Sequence, residues 1–165
     1  MRIIGLAGWS GSGKTTLLAK LLPVLIGRGL RVSTIKHAHH AFDVDTPGKD
    51  SWVHRQAGAT EVLVASAARF ALLAEHRGGV EPELPDLLAR LAPVDLVVIE
   101  GFKRHPHPKI EVSRSATGKP YLWPDDPTIV AVAADHKVPD CDRTVLDVND
   151  IDAIADCVLA RAGDI

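Results

Sequence analysis

The sequence predicts an α/β fold, a doubly wound and mostly parallel sheet with helices on both faces. Three observations carry that prediction. Short apolar runs recur at residues 3–7, 95–101 and 128–134, each the length of a buried strand. Between the first two strands, Leu17, Leu18, Leu21, Leu22 and Leu25 share one helical face. Strand, helix and strand in that order form a βαβ unit with a right-handed crossover.

The elements follow in chain order. Ile3 to Ala7 is a strand that stops at Gly8. A helix runs from about Lys14 to Ile26, with Pro23 inside it and Gly27 and Gly29 beyond it. Arg31 to Lys36 is the second strand, and a polar loop fills 37–48. A short helix is expected near 49–57. Glu61 to Ala65 and Phe70 to Ala74 pair as a hairpin. A helix near 84–91 precedes the strand 95–101, which has acids at both ends. Residues 103–127 hold five prolines and one strand, Lys109 to Ser113, and read as an extended insertion. That strand is expected to lie exposed beyond the main sheet, where a second copy of the chain would pair with it. A last helix starts at Asn149 or Asp150 and runs to Ala162.

Bulk properties narrow the function. The chain has 165 residues, enough for one domain spanning 1–165 with its own core. A net charge of −2 argues against a protein that coats nucleic acid. No apolar run is long enough to cross a bilayer, and because residues 1–5 enter a strand at once, no signal peptide is expected. Cys141 and Cys157 form no CxxC motif, so a reducing cytoplasm is expected.

Gly8-Trp9-Ser10-Gly11-Ser12-Gly13-Lys14-Thr15-Thr16 satisfies GxxxxGK[ST], between a buried strand and an amphipathic helix. This makes the fold P-loop NTPase-like. Glycines let backbone N–H groups turn inward around a phosphate, and the helix end adds partial positive charge. Lys14 is placed to neutralise β- and γ-phosphates, and the Thr15 hydroxyl to ligate Mg²⁺. The loop needs a carboxylate near that metal. Glu100 closes its strand at the C-terminal edge of the sheet, where ligands gather, so it is the acid expected to act there with Lys14. Asp95 opens the same strand, about 16 Å away at ~3.3 Å per residue. Asp45, in the loop after the second strand, is a rival metal ligand.

Residues 36–51 gather three histidines, two lysines and three acids around a Pro-Gly turn. Read alone, this loop fits a transition-metal site, an anion site or a solvated polar loop. Lys103 to Lys109 is the only locally basic run, suited to an anion, a partner protein or plain solvation.

Three segments in order, GWSGSGKTT, IKHAHHAFDVDTPGKDSWVHRQAGA and VVIEGFKRHPHPKIEVSR, resemble the MobB family of molybdopterin-guanine dinucleotide biosynthesis adapter proteins. Together they span most of residues 1–114. The resemblance implies a cytoplasmic GTP-binding protein, usually a homodimer, with at most weak GTPase activity. It implies a partner, the MobA-like guanylyltransferase that joins GMP to molybdopterin, and molybdopterin as a second bound ligand. By resemblance, Gly8, Ser10, Gly11, Ser12, Gly13, Lys14, Thr15 and Thr16 hold the GTP phosphates. His37, His40, Asp43, Asp45, Lys49 and Asp50 line the adjoining surface, with Arg55 either reaching the same anion or pairing with a nearby acid. Asp135, in the segment AADHK after a buried strand, stands where an NKxD loop would read guanine, although the Asn of that motif is absent. It fits an ordinary turn equally well. A small-molecule kinase and a nickel or cobalt metallochaperone GTPase are the competing readings. The first would need a lid with arginines, the second Cys/His ligands at fixed spacing.

Overall fold

The computed structural model describes residues 1–38 and 42–165. The chain forms two compact units, one of residues 1–37 and 88–165, the other of residues 38–87.

The first unit is built on a sheet in the order β2-β5-β1-β6-β7-β8. These strands are Val32–Lys36, Leu96–Glu100, Arg2–Ala7, Lys109–Ser113, Ile129–Ala134 and Thr144–Asp147, in sheet order. All neighbours on this path are parallel. A two-residue strand, β9 (Gly163–Asp164), adds antiparallel to the start of β1. Helix α1 (Lys14–Gly27) continues through Pro23. Its end is closed by Gly29 N–H to Ile26 O and Leu30 N–H to Leu25 O, the bond pattern of a Schellman motif. Helix α4 (Ile151–Arg161) starts where the Asp150 carboxylate accepts from Ala153 N–H.

Alternation along the strands assigns the two sheet faces. Ile4, Leu6, Val98, Ile110, Val112, Ala131 and Ala133 face Leu17, Leu21 and Leu25 of α1 and Ile154, Ala155 and Val158 of α4. At β6 the opposite face carries Lys109, Glu111 and Ser113, all buried. Buried polar groups need partners. Lys109 Nζ donates to His105 O and to Thr128 Oγ1. Glu111 accepts the N–H groups of Leu122 and Trp123, both at 2.9 Å.

This placement corrects one expectation. The strand Lys109–Ser113 is not exposed beyond the sheet, because β1 flanks it on one side and β7 on the other. No second copy of the chain has an edge to pair with there. The basic run that leads into it is also partly internal. His107 and Lys109 are each 1 % exposed.

The second unit carries α2 (Asp50–Gln56) and the hairpin β3–β4, Glu61–Ala65 paired with Phe70–Ala74. The hairpin has the strand limits expected from the sequence. Helix α3 (Leu84–Leu88) is shorter than expected.

Candidate functional site

The turn from β1 into α1 sets the site. Gly8 has φ 142, and a Cβ there would stand 2.5 Å from Val112 O. Only glycine lets the loop leave β1 against the backbone of β6. Gly13 caps α1, and Leu17 N–H closes back to Gly13 O at 2.8 Å. Ser12 is 1 % exposed, and its Oγ has no hydrogen-bond partner among the described residues. Lys14 Nζ donates to two carbonyls of its own loop, Gly8 at 3.0 Å and Trp9 at 2.8 Å. Burial pushes its pKa down, with Lys103 and Lys36 adding to the effect and Glu100 opposing it.

Glu100 reaches this loop because β5 lies beside β1 in parallel register, with Leu6 opposite Glu100. The Thr15 hydroxyl donates to both carboxylate oxygens of Glu100, at 3.1 and 3.2 Å. On the other side, β2 is registered so that Lys36 stands opposite Glu100, and the two form an ion pair. The Glu100 side chain is 5 % exposed and that of Lys36 59 %. Gly101 follows with φ 111, and a Cβ there would fall 2.5 Å from His37 Cβ. His37 N–H donates to Glu100 O at 2.8 Å, and its ring lies 4.6 Å from that of Phe102. Asp95, at the far end of β5, accepts from Arg31 N–H and pairs with its guanidinium. It is a strand-start anchor.

Trp9 sits at the loop's tip. Its Nε1–H donates to Pro120 O at 2.7 Å, and Lys103 Nζ lies 5.4 Å from its ring centroid. The indole therefore ties the phosphate loop to the segment that Glu111 holds on the sheet. Asp135, at the end of β7, accepts from Ser115 N–H and from His136 Nδ1, both at 2.8 Å. These bonds, the Ser115 N–H first, hold its carboxyl down at about 2.

The loop residues after β2 belong to the second unit. Asp43 and Asp45 are held by Arg55, with Glu75 as its third acid. Arg55 thus has the acid pairing that its sequence position allowed. Lys49 caps α2 and Asp50 begins it. His40 lies outside the described residues. Among the described residues, no group of three or more His, Cys, Asp or Glu side chains is arranged to hold a metal ion.

Two charged residues beside the loop carry no role in the sequence reading. Lys36 is the last residue of its strand, as Glu100 is of its own. Arg114 is the first residue after β6, with its Nε 3.5 Å from where a Cβ on Gly13 would be. The signal for both was position, since strand ends in a parallel sheet converge on one edge.

The fold and this loop define a P-loop NTPase-like α/β protein. Comparison with known proteins goes further. A family model described as MobB, molybdopterin guanine dinucleotide synthesis protein B, matches residues 3–135. A molybdopterin-guanine dinucleotide biosynthesis adapter protein of Haemophilus influenzae is 45 % identical over 159 residues, covering 94 % of this chain and 86 % of that one. The Escherichia coli K12 protein of the same description is 44 % identical over 160 residues, covering 95 % and 91 %. A crystal structure of molybdopterin-guanine biosynthesis protein B superposes with TM-score 0.76 at 28 % identity, covering 96 % of this chain and 98 % of that one. The chain belongs to the MobB family.

Proposed function

We propose that this protein binds GTP with Mg²⁺ at the phosphate loop and acts as an adapter in making the guanine dinucleotide form of the molybdenum cofactor. The observation that carries the nucleotide reading is the convergence of Thr15 and Glu100 at the loop's end. Two hard oxygen donors side by side suit Mg²⁺, which keeps most of its waters and takes few protein ligands. Bound there, the metal would neutralise charge on the β- and γ-phosphates. The amino end of α1, reached through positive φ at Gly8, Gly11 and Gly13, is where the phosphates would be held. Lys14 is poised to exchange its two carbonyl partners for phosphate oxygens.

Hydrolysis is proposed to be slow. Glu100 is engaged by Thr15 and Lys36 and is not presented as a base toward an attacking water. The adapter role and the MobA-like guanylyltransferase as partner rest on family membership, as does molybdopterin as a second ligand. A homodimer is supported by the second unit. In its hairpin, Leu63, Phe70 and Leu72 are 61 %, 71 % and 43 % exposed, on a two-stranded sheet with open edges. A cytoplasmic site is the setting these roles require. No helix among the described residues is long and apolar enough to cross a membrane.

The test is calorimetric titration with GTP, GDP and ATP, with Lys14→Ala as control, followed by cofactor guanylation with the guanylyltransferase present. GTP is expected to bind best and the variant not to bind. Equal affinity for ATP and GTP removes the guanine assignment. Guanylation that proceeds identically without this protein removes the adapter role.

A further inference from the structure

We propose that Arg114 is a phosphate-contacting residue of the loop's nucleotide site and that Asp135 is the residue that positions it. The inference rests on the reading of the loop as a triphosphate site. Arg114 follows β6, the neighbour of β1 at the sheet's C-terminal edge. Its backbone is fixed, since its carbonyl accepts both Thr117 N–H at 3.0 Å and Thr117 Oγ1–H at 2.8 Å. From that base the guanidinium reaches the amino end of α1. Its Nε and Nη2 stand 3.5 and 3.8 Å from where a Cβ on Gly13 would be.

That is an unfavourable place for a cation on its own. The amino end of a helix carries partial positive charge. Lys14 is the next residue, and α1 has no acid in its first turn. The carboxylate facing Arg114 is Asp135, whose Oδ2 lies 3.7 Å from Nη1, beyond a hydrogen bond. Among the described residues the guanidinium donates no hydrogen bond, so its rigid fork of five N–H donors is available. The side chain is 27 % exposed. Two cations and the amino end of α1 therefore converge at Gly13 and Lys14, where no acid of the first turn answers them. Phosphate oxygens on the loop supply what all three need, and a guanidinium binds them with two parallel bonds.

Asp135 is braced for positioning. Its Oδ1 accepts Ser115 N–H and the His136 ring, and the Tyr121 hydroxyl lies 3.0 Å from the other ring nitrogen of His136. A neutral His136 with its proton on Nδ1 satisfies both contacts. The chain Tyr121–His136–Asp135 thereby sets where the guanidinium points. In this role Asp135 is blind to the base. Its loss weakens guanine and adenine nucleotides alike.

The experiment is titration of the full chain, with Mg²⁺, by GTP, ATP and inorganic tripolyphosphate. Arg114→Ala is expected to weaken all three by the same factor, about tenfold to a hundredfold for a charge-assisted contact. Arg114→Lys recovers part of the loss. Asp135→Asn weakens all three equally and less, about three- to tenfold. Unfolding midpoints establish that each variant is folded, and Arg114→Gln, which keeps the side chain's stem, decides the matter if the alanine variant is not. Lys14→Ala separates the two readings. If it abolishes binding while Arg114→Ala and Arg114→Gln bind as wild type, the role of Arg114 is overturned and the loop reading stands. Loss of GTP binding alone in either the Arg114 or the Asp135 variants also overturns it, since base reading is then their function. If Lys14→Ala binds all three normally, the loop reading and this inference fall together.

Discussion

The Thr15 hydroxyl donates to both carboxylate oxygens of Glu100, from a residue 85 positions earlier in the chain. Parallel pairing of β1 with β5 makes the meeting possible, and Lys36 of β2 closes the far side. If this is the metal's place, Glu100→Gln removes one charged oxygen donor and leaves the loop intact. The variant is expected to lose the gain in nucleotide affinity that Mg²⁺ confers, by about tenfold or more, with affinity in chelator unchanged or slightly higher. Calorimetry with Mg²⁺ and with chelator measures both. An equal magnesium response in the two proteins separates Glu100 from the metal.

Gly101 turns the chain directly after Glu100. Its φ is 111, and a methyl group in place of its hydrogen would come within 2.5 Å of His37 Cβ, so the position forbids a side chain. Because the obstructing atom is a Cβ beside its own backbone, it cannot swing aside. Gly101→Ala is expected to cost about 1–3 kcal/mol in urea unfolding. Gly118→Ala is the comparison. It also has a positive φ, 56, yet meets nothing within 4 Å, so only the backbone term, about 1 kcal/mol, applies. Equal costs at the two positions would show that contact with His37 is unimportant.

The site was legible wherever local pattern and strand direction sufficed. Gly8 to Thr16 announces itself between an apolar strand and a leucine-faced helix. Placing Glu100 rather than Asp95 beside the loop needed only the rule that the C-terminal ends of parallel strands share one edge. The hairpin limits followed from two apolar runs. The place of β6 was not legible, because Lys109, Glu111 and the surrounding prolines look like a solvated insertion. Those charges are buried because Thr128, His105, Leu122 and Trp123 satisfy them, and such partners are visible only after folding. Strand β8 carries mostly exposed side chains, and β9 is two residues long, so neither has an apolar run to read. Lys36 and Arg114 acquire their meaning from register, which no single strand shows.

Arg55 holds three acids with one guanidinium. Nε meets Asp45 at 3.0 Å, Nη1 meets Glu75 at 2.6 Å, and Nη2 meets both oxygens of Asp43 at 2.8 Å. Ser51 adds a bond to Asp45. The fork fastens the acidic loop to the start of the chain after β4. Lysine has one nitrogen and cannot span these directions. Arg55→Lys is therefore expected to raise amide hydrogen exchange across residues 43–51 nearly as much as Arg55→Met does. Protection that survives in the lysine variant would mean that charge alone, not the fork, orders the loop.

His107 gives the fold a pH signature. The ring is 1 % exposed and its Nε2 has no partner among the described residues. Burial, then the neighbouring Lys109 and His105, push its pKa down from 6.5 to about 4. The sign follows from proton counts. Between those values the unfolded chain binds a proton that the native ring refuses, so stability rises with pH through this window. The contribution is full above about 6.5, the unfolded value, and is lost as pH falls toward 4. Acids with lowered pKa, such as Asp43 and Asp95, lose their own contributions at lower pH, near and below the ordinary carboxylate value of 3.8. His107→Gln removes the histidine term and keeps every acid. Urea midpoints measured at pH 7 and pH 5 are therefore expected to fall further in the wild type than in the variant. Equal falls would mean that His107 takes up its proton inside the native fold, through a rearrangement that opens it to water.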